Sequence, residues 1–304
     1  MCSYKITTKD IENFINACSA SSNDDYEPYF DDETEPNVRL AEPSPAILNN
    51  TGIDLLMDAD TLSLYLFERT RGLIGCCTDF DYASDDGSNI CEISVLISPE
   101  YRRHGLGRML VSRMMSLIEE NHAINEAGQA AQNTDNINVL LVGSNESFAE
   151  CCGFSYSHSE HFMTRKPYSE LADLRTRTAS DNTITPNDES KNAEPKYRII
   201  RNLNKSSGFH TYRLLCVNTR VSRCSVVECS DYINIANVYT APKYRGHRFA
   251  GRLIDTVAAD FPQKKLLLQV SGSNTAAIHA YTEAGFTFLK SIDYYSVTED
   301  SYIP

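Results

Sequence analysis

Residues 95–108 read VLISPEYRRHGLGR and are the most informative part of the chain. The apolar run before Pro99 predicts a buried strand that stops at the proline, and a helical apolar period begins after Gly105. Glycines let backbone N–H groups approach a ligand closely, and the first turn of a helix carries a partial positive charge. Arg102, Arg103 and Arg108 crowd the same turn. The stretch therefore predicts either a phosphate-binding turn or a tight turn with solvated arginines.

This turn occurs twice. Residues 98–104, SPEYRRH, reappear as APKYRGH at residues 241–247. A Gly-Phe pair follows each copy, at residues 153–154 and 285–286. Two matched landmarks in the same order predict a duplicated domain.

A polar stretch without periodicity separates the two copies. Residues 169–195 are rich in Ser, Thr, Asn, Asp and Pro, a composition typical of an interdomain linker. We therefore predict an N-terminal domain over residues 1–168 and a shorter C-terminal domain over residues 196–304. The first domain alone has room for an additional N-terminal helix, whose apolar face is formed by Ile11, Phe14, Ile15 and Cys18.

Apolar alternation gives both copies the same series of elements. Three strands precede each turn, a helix with one apolar face follows it, and a further strand comes next. The predicted strands are 61–67, 73–78, 90–97 and 137–142 in the first copy, and 211–217, 222–229, 232–240 and 266–270 in the second. Each copy is then expected to end in a short helix and a hairpin.

The composition excludes several classes of protein. The 304 residues include 28 Lys or Arg and 41 Asp or Glu, so the formal net charge is -13. That balance counts against nucleic-acid binding, because a phosphate backbone requires a basic face. No apolar run reaches the ~18–20 residues of a membrane helix, and the N-terminus lacks the pattern of a signal peptide. The ten cysteines include two adjacent pairs and no C-x-x-C, which favours reduced thiols in a cytoplasmic protein over a disulfide framework.

The pattern Arg-x-x-Gly-x-Gly after Pro-Glu-Tyr, with Gly-Phe further along, resembles the GNAT superfamily of acetyl-CoA-dependent N-acetyltransferases. The resemblance implies an α/β (α+β) fold of two tandem GNAT-like domains, each a mixed, mostly antiparallel sheet flanked by helices. It also implies acetyl-CoA as co-substrate, with its pyrophosphate on the backbone amides of the turn and its pantetheine and thioester on the preceding strand. The implied contacts in the first copy are Val95, Leu96, Ile97, Arg102, Arg103, His104, Gly105, Leu106, Gly107 and Arg108.

The second copy departs from this pattern at one position, where Arg248 replaces the middle glycine. A side chain there would either obstruct the approach of the backbone to phosphate or pair with the phosphate through its guanidinium group. The implied contacts in this copy are Val238, Tyr239, Thr240, Arg245, Gly246, His247, Arg248, Phe249 and Ala250.

A tyrosine on the helix before Gly-Phe often supplies a proton to the departing CoA thiolate in the resembling family. Residues 274–286, NTAAIHAYTEAGF, match that pattern, with Tyr281 as the candidate acid and Asn274 as a contact to the pantetheine. The alternative role of Tyr281 is that of a core aromatic residue. The first copy has Ala149 in its place, and the neighbouring Cys151 and Cys152 are expected to be small buried thiols rather than acids.

Two further acidic features are candidates for handling the acceptor. Glu92 precedes the thioester-binding part of its strand, and is either a general base acting through water or a solvated carboxylate. The acidic loop from Asp24 to Glu35 either attracts a cationic amine or is a solvated loop. No metal ligand is expected in the site.

The sequence thus predicts a cytoplasmic N-acetyltransferase that acts on the primary amine of a small molecule or peptide, with no nucleic-acid or membrane partner. Direct attack of the amine on the thioester is favoured over an acetyl-cysteine, because neither cysteine pair has a basic partner nearby in sequence. The alternative is a non-catalytic acyl-CoA-binding sensor or scaffold, since Ala149 and Arg248 both depart from the family pattern. The identity of the acceptor and the oligomeric state are not predicted.

Overall fold

The chain forms two compact units in the computed structural model. The N-unit comprises Met1–Ser157 and Asp293–Pro304, and the C-unit comprises His158–Ile292. The division therefore falls 11 residues before the domain end predicted at residue 168. The structure describes residues 6–19, 36–41, 45–58, 60–83, 89–128, 138–168 and 197–297. The predicted linker and the acidic loop from Asp24 to Glu35 lie outside these described residues.

The N-unit is a mostly antiparallel sheet with helices on both faces. Its strands follow the order β1-β2-β3-β4-β5-β6-β13, and only β5 and β6 run parallel. Its elements are α1 (Thr8–Ser19), β1 (Val38–Leu40), β2 (Ile53–Asp58), β3 (Leu64–Glu68), β4 (Gly72–Ala83), β5 (Asn89–Ile97), α2 (Leu106–Gly128), β6 (Asn138–Val142) and α3 (Glu146–Cys151).

Strand alternation divides the apolar residues of the N-unit between two cores. Leu64, Leu66 and Ile93 point to the face covered by α2 and α3, where Leu110 and Met114 are fully buried. The opposite face carries Leu56, Tyr65 and Cys76, and it packs against the predicted apolar face of α1, all of which is buried. Burying one large aliphatic side chain stabilises a fold by about 1.5–3 kcal/mol, so both helices are firmly attached.

The C-unit repeats the arrangement with fewer helices. Its strands follow the order β7-β12-β11-β10-β9-β8, in which only β11 and β12 run parallel. Its elements are β7 (Phe154–Arg165), β8 (Tyr197–Leu203), β9 (Phe209–Cys216), β10 (Thr219–Glu228), β11 (Tyr232–Thr240), α4 (Phe249–Asp260), β12 (Lys265–Ser271), α5 (Thr275–Glu283) and β13 (Thr287–Val297). Strands β7 and β13 each contribute residues to both units.

Both helices of the C-unit lie on one face of its sheet. Tyr212 and Leu214 of β9 are buried beneath Phe249, Leu253 and Val257 of α4 in a single core. Strands β8 and β9 are joined directly through residues 204–208. Among the described residues, the C-unit has no counterpart of α1, and the second face of its sheet is open.

The hairpin predicted at the end of each copy is wrong. A single strand of 12 residues, β7, ends the first copy, and one of 11 residues, β13, ends the second. Residues 160–165 of β7 pair with β12, and residues 294–296 of β13 pair with β6. Each long strand thus finds its hydrogen-bond partner in the other copy, where the edge of a parallel strand would otherwise be unpaired.

Candidate active site

The turn after β5 presents a row of free backbone donors. Arg102 donates its Nε to the carbonyl of Ile97 at 2.9 Å, and Arg103 and Gly105 follow with φ of 67° and 81°. The first helical bond runs from Met109 N to Gly105 O at 3.0 Å. The N–H groups of residues 103–108 therefore have no acceptor within the described parts of the chain, as expected at a helix N-terminus.

The charges of this turn are also unpaired. None of Arg102, Arg103 and Arg108 forms an ion pair with a described residue, and all three are exposed. A Cβ atom at Gly107 would lie 3.1 Å from the ring of Phe148 on α3, so a side chain there would press on this ring where α2 packs against α3. Free amides, three guanidinium groups without ion pairs and a helix N-terminus together fit a diphosphate group.

The second turn has the same backbone conformation with different side chains. Arg245 has φ and ψ of -68° and 156°, against -67° and 158° at Arg102, and it donates to Thr240 O at 3.2 Å. Arg248 adopts a φ of 58°, the left-handed conformation of Gly105, which costs a side chain about 1–2 kcal/mol. Its guanidinium group lies 3.6 Å from the carboxylate of Glu283. The side chain is thus held by α5, and the N–H groups of residues 249–251 have no acceptor among the described residues.

The strands before the two turns differ. Strand β5 leaves its parallel partner after Ser94, so residues 95–97 extend beyond that ladder while still pairing regularly with β4. Strand β11 leaves its partner after Ile235 and then bulges, with a φ of 52° at Asn237. The register with β10 shifts at the same place, between Arg223 and Ser225. A bulge turns main-chain groups out of the ladder, and only β11 has one here.

Hydrogen bonds within the chain occupy some of the main-chain groups of β11 and leave fewer of them available to bind a ligand. The carbonyl of Tyr239 accepts from Ser222 Oγ at 2.9 Å, and that of Thr240 accepts from Arg245. Val238, next to the bulge, keeps its groups outside the pairing with β10. Among the three predicted contacts on this strand, Val238 is therefore the position freest to bind a ligand through its backbone.

Tyr281 lies in the same buried core as Cys224 of β10, and Val238 beside the bulge packs against that core. Tyr281 is 8% exposed, and its ring contacts Phe286 with centroids 6.1 Å apart. Burial raises the pKa of its hydroxyl, and the thiol of Cys224, on the stretch of β10 that faces the bulge, raises it further. No described group hydrogen-bonds this hydroxyl. The result is a protonated phenol whose O–H group has no described hydrogen-bond partner, in the core against which Val238 of β11 packs.

Comparison with known protein families covers both copies of the repeat. The model of the acetyltransferase (GNAT) family matches residues 21–141 and 186–286, together more than half of the chain. The chain belongs to the GNAT acetyltransferase family. The two matched regions confirm the tandem GNAT organisation, and the general class is that of acyl-CoA-dependent acetyltransferases. No curated protein matches the chain in sequence.

Solved structures share the fold at low identity. A GCN5-related N-acetyltransferase from Sphaerobacter thermophilus is 14% identical over 94% of this chain and 90% of its own, with a TM-score of 0.60. A tandem GNAT protein from the clavulanic acid biosynthesis pathway is 13% identical over 83% of this chain and 85% of its own, with a TM-score of 0.50. At such identities the likeness shows the fold alone, and it confirms the mixed, mostly antiparallel GNAT architecture. No described helix is long and apolar enough to span a membrane.

Asn274, the predicted pantetheine contact of this GNAT chain, has a structural partner. Its side-chain oxygen caps α5 by accepting from Ala277 N at 3.1 Å. In the N-unit, Asn145 caps α3 in the same way through Phe148 N at 2.9 Å. Sequence reasoning missed Asn145, although its place before a short helix is a capping signal. The role of Asn274 toward a ligand stays a prediction.

The helix α3 of the N-unit offers no proton donor like Tyr281. Ala149 is fully buried in the core. Burial raises the pKa of the Cys152 thiol to about 11, so this residue is a thiol and not a nucleophilic thiolate at neutral pH. All described cysteines are free thiols. The expected burial of the adjacent pair is wrong for Cys151, which is exposed at the end of α3, and Cys152 is only partly buried.

Glu92 occupies the regular part of β5, opposite Leu140 of β6. Its carboxylate accepts a hydrogen bond from Tyr82 at 2.6 Å. The two predicted catalytic residues, Glu92 and Tyr281, lie in different units.

A cluster that sequence reasoning missed lies near this strand. Asp79, Asp81 and Cys91 bring one ligand atom each to within 4.8 Å of one another. Burial, and next the charge of Asp81, raise the pKa of Asp79 to about 6. Burial and a hydrogen bond to Asp81 raise the pKa of the Cys91 thiol. The cluster is a set of protonatable groups that share hydrogen bonds on neighbouring strands.

Proposed function

We propose that this GNAT chain transfers an acetyl group from acetyl-CoA to a primary amine, and that the C-unit performs the transfer. The observation that carries this proposal is that one unit combines the buried phenol of Tyr281 with the bulge at Asn237, next to Val238, which packs against the core that holds Tyr281. The bulge frees main-chain groups that can hold a thioester carbonyl, and Tyr281 offers a proton from the helix-covered side of the same strand.

Acetyl-CoA supplies the acetyl thioester, and the residues of both turns fit its diphosphate. In the N-unit, the amides of residues 103–108 and the guanidinium groups of Arg102, Arg103 and Arg108 would hold it. In the C-unit, the amides of residues 246–251 with Arg245 would do so, since Arg248 is directed to Glu283. Residues 95–97 and Val238 would hold the pantetheine and thioester of their respective molecules.

The chemistry is a direct substitution at the thioester carbonyl. The neutral amine forms the C–N bond while the C–S bond breaks, and the thiolate takes the phenolic proton of Tyr281. The acceptor nitrogen loses its extra proton to water, which also returns a proton to Tyr281. Because burial raises the pKa of Tyr281, the phenol holds its proton until the stronger base, the departing thiolate, develops.

The N-unit then binds acyl-CoA without transferring its acyl group. Ala149 has no proton to give, and β5 keeps a regular ladder with β4 from Gly75 to Ala83. The alternative function, that of a non-catalytic acyl-CoA sensor, is therefore assigned in our proposal to the N-unit alone.

A matched pair of variants tests the assignment. Arg102→Gln and Arg245→Gln remove the same side-chain bond from the two turns. We expect calorimetry to find two acetyl-CoA sites in the parent chain and one in each variant. In a thiol-release assay with a panel of amines, Arg245→Gln should lower kcat/KM, and Arg102→Gln should leave it unchanged.

The opposite pattern would move the chemistry to the N-unit. Acetyl-CoA binding without thiol release by any amine would make the whole chain a sensor. Absence of binding would remove both roles.

A further inference from the structure

The open face of the C-unit sheet carries an ordered set of side chains. Because α4 and α5 pack on the other face of the sheet, an acceptor that approaches the bulge of β11 across the sheet does so from this open side. The strand registers place open-face residues of β11, β10, β9 and β8 in rows that cross the sheet. The row nearest the turn is Tyr239, Arg223, Arg213 and Ile200.

This row is cationic in a chain of strongly negative charge. Arg223 lies over the ring of Tyr239 at 5.6 Å, and Arg213 is its direct cross-strand neighbour. Both arginines are exposed, and neither forms an ion pair with any residue that the structure describes. The next two rows hold Ala236, Ser225, Thr211 and Asn202, then Asn234, Val227 and Phe209, without a carboxylate.

The side chains of this surface are half-exposed and mixed in character. Tyr239 is 47% exposed, Ile200 43% and Phe209 48%, so aromatic and aliphatic groups flank the arginine pair. The Oγ1 atom of Thr211 is buried in the face and lacks a hydrogen-bond partner among the described residues. Such a surface fits an extended ligand with polar backbone groups and acidic side chains.

The spacing of the row sets the position of the negative charges. Neighbouring strands are about 4.7–4.9 Å apart, so the backbone at Arg223 lies about 5 Å and that at Arg213 about 10 Å from β11. An extended peptide advances about 3.3–3.6 Å per residue. A terminal amine over the bulge therefore puts the second to fourth residues within reach of the two guanidinium groups.

The absence of a carboxylate from these rows also affects which kind of amine can react. The rows from β8 to β11 offer no carboxylate as a general base, so an acceptor that lies along them must provide its own neutral form. A peptide α-amino group has a pKa of about 7.7–8.0, whereas that of a lysine side chain is about 10.4, so far more of the α-amine is neutral at pH 7.5.

We propose that the acceptor is the amino end of an acidic peptide, whose carboxylates at positions two to four pair with Arg223 and Arg213. This inference rests on the proposed function of the C-unit. It names the class of acceptor and the surface that selects it.

The test compares two ten-residue peptides with free amino ends, one with Asp and Glu at positions two to four and one with Asn and Gln there. Thiol release from the full chain with acetyl-CoA should show kcat/KM roughly tenfold higher for the acidic peptide, as expected for two exposed charge pairs. The double variant Arg213→Gln/Arg223→Gln should remove most of this preference by raising KM, without lowering kcat for the neutral peptide. Arg201→Gln, which removes an arginine from the opposite face, is the matched control.

The outcomes separate this inference from the proposed function. Turnover of amines with no acidic preference, or a preference that survives the double variant, overturns the inference and leaves the acetyltransferase intact. If no amine releases thiol, the fluorescence anisotropy of a labelled, N-acetylated acidic peptide measures binding directly. Binding that requires both arginines supports the assignment of this surface to an acidic peptide, and absence of binding overturns it. Tighter binding of a single-stranded oligonucleotide, or self-association that the double variant abolishes, would assign the surface to another partner and overturn the inference.

Discussion

Replacing Tyr281 with phenylalanine separates a catalytic hydroxyl from a core aromatic ring. The substitution keeps the ring that contacts Phe286 and removes only the oxygen. Because no described group hydrogen-bonds that oxygen, its loss leaves no unsatisfied partner in the core. We therefore expect the free energy of unfolding of Tyr281→Phe to stay within about 0.5 kcal/mol of the parent value.

The effect on turnover should be much larger. Removal of a positioned general acid typically lowers the rate 10²–10⁴-fold, which corresponds to about 2.7–5.4 kcal/mol of transition-state free energy. The dissociation constant of acetyl-CoA should not change, since Tyr281 lies on α5, outside the turn proposed to hold the diphosphate. Thiol release under saturating acetyl-CoA, together with calorimetric binding, measures the two quantities separately.

Tyr212→Phe in the same core is the matched control. The Tyr212 hydroxyl donates to the Asp260 carboxylate at 2.9 Å, and losing a hydrogen bond to a charged group costs about 1.5–3 kcal/mol. This variant should unfold at lower urea concentration and still turn over at the parental rate. If Tyr281→Phe keeps parental turnover, the proton comes from another group. If it loses stability as Tyr212→Phe does, Tyr281 is a core residue and the reasoning is refuted.

Three further changes test other parts of the structure. Arg248→Gly should leave the C-unit equally stable or more stable by up to about 1 kcal/mol. Relief of the left-handed backbone conformation at this position outweighs the loss of an exposed ion pair with Glu283. A loss of more than about 1 kcal/mol in the free energy of unfolding in urea would contradict this. Gly251→Ala adds a methyl group with no atom within 4 Å inside α4, so helix propensity should raise the unfolding free energy by about 0.8–1.0 kcal/mol, and a lower value would show an unseen contact. Asp79→Asn tests the pH dependence of stability. The pKa of Asp79 is about 6 in the folded chain and lower in the unfolded chain, so the protonated carboxyl stabilises the N-unit below pH 4. This contribution is lost as the pH rises through 6. The variant should therefore melt above the parent at pH 8 and near it at pH 4, and equal melting temperatures at both pH values would show that Asp79 does not titrate as described.

Local sequence was sufficient to predict the two turns and most of the strands. Pro99 ends a strand, Gly105 takes a left-handed φ and α2 follows at once, and all three events depend on neighbouring residues. The same reasoning located β5, β11 and the apolar face of α1. It missed β1, β2 and β8, which are short or flank the polar stretches and give little alternation.

What the sequence could not supply depends on partners distant in the chain. The pairing of β7 with β12, for example, joins Arg165 to Leu266 across about a hundred residues, and no local pattern distinguishes it from a hairpin. The bulge at Asn237 is likewise a property of the register between β10 and β11. The two alternatives considered for Arg248 were both incomplete, because its partner Glu283 lies on another helix.

The comparison of the two copies indicates which part of this fold is tied to chemistry. Their turns agree to within a few degrees at Arg102 and Arg245, and they do so although a glycine in one copy is an arginine in the other. The strands before the turns differ where a thioester would lie, since β11 has a bulge and β5 a regular ladder. The short helices near the end of each copy also differ, since α5 carries Tyr281 where α3 carries the buried Ala149. In the proposed function, the features that would bind a diphosphate are thus present twice and those that would break a thioester once, so we expect binding and transfer to be separable functions within one chain.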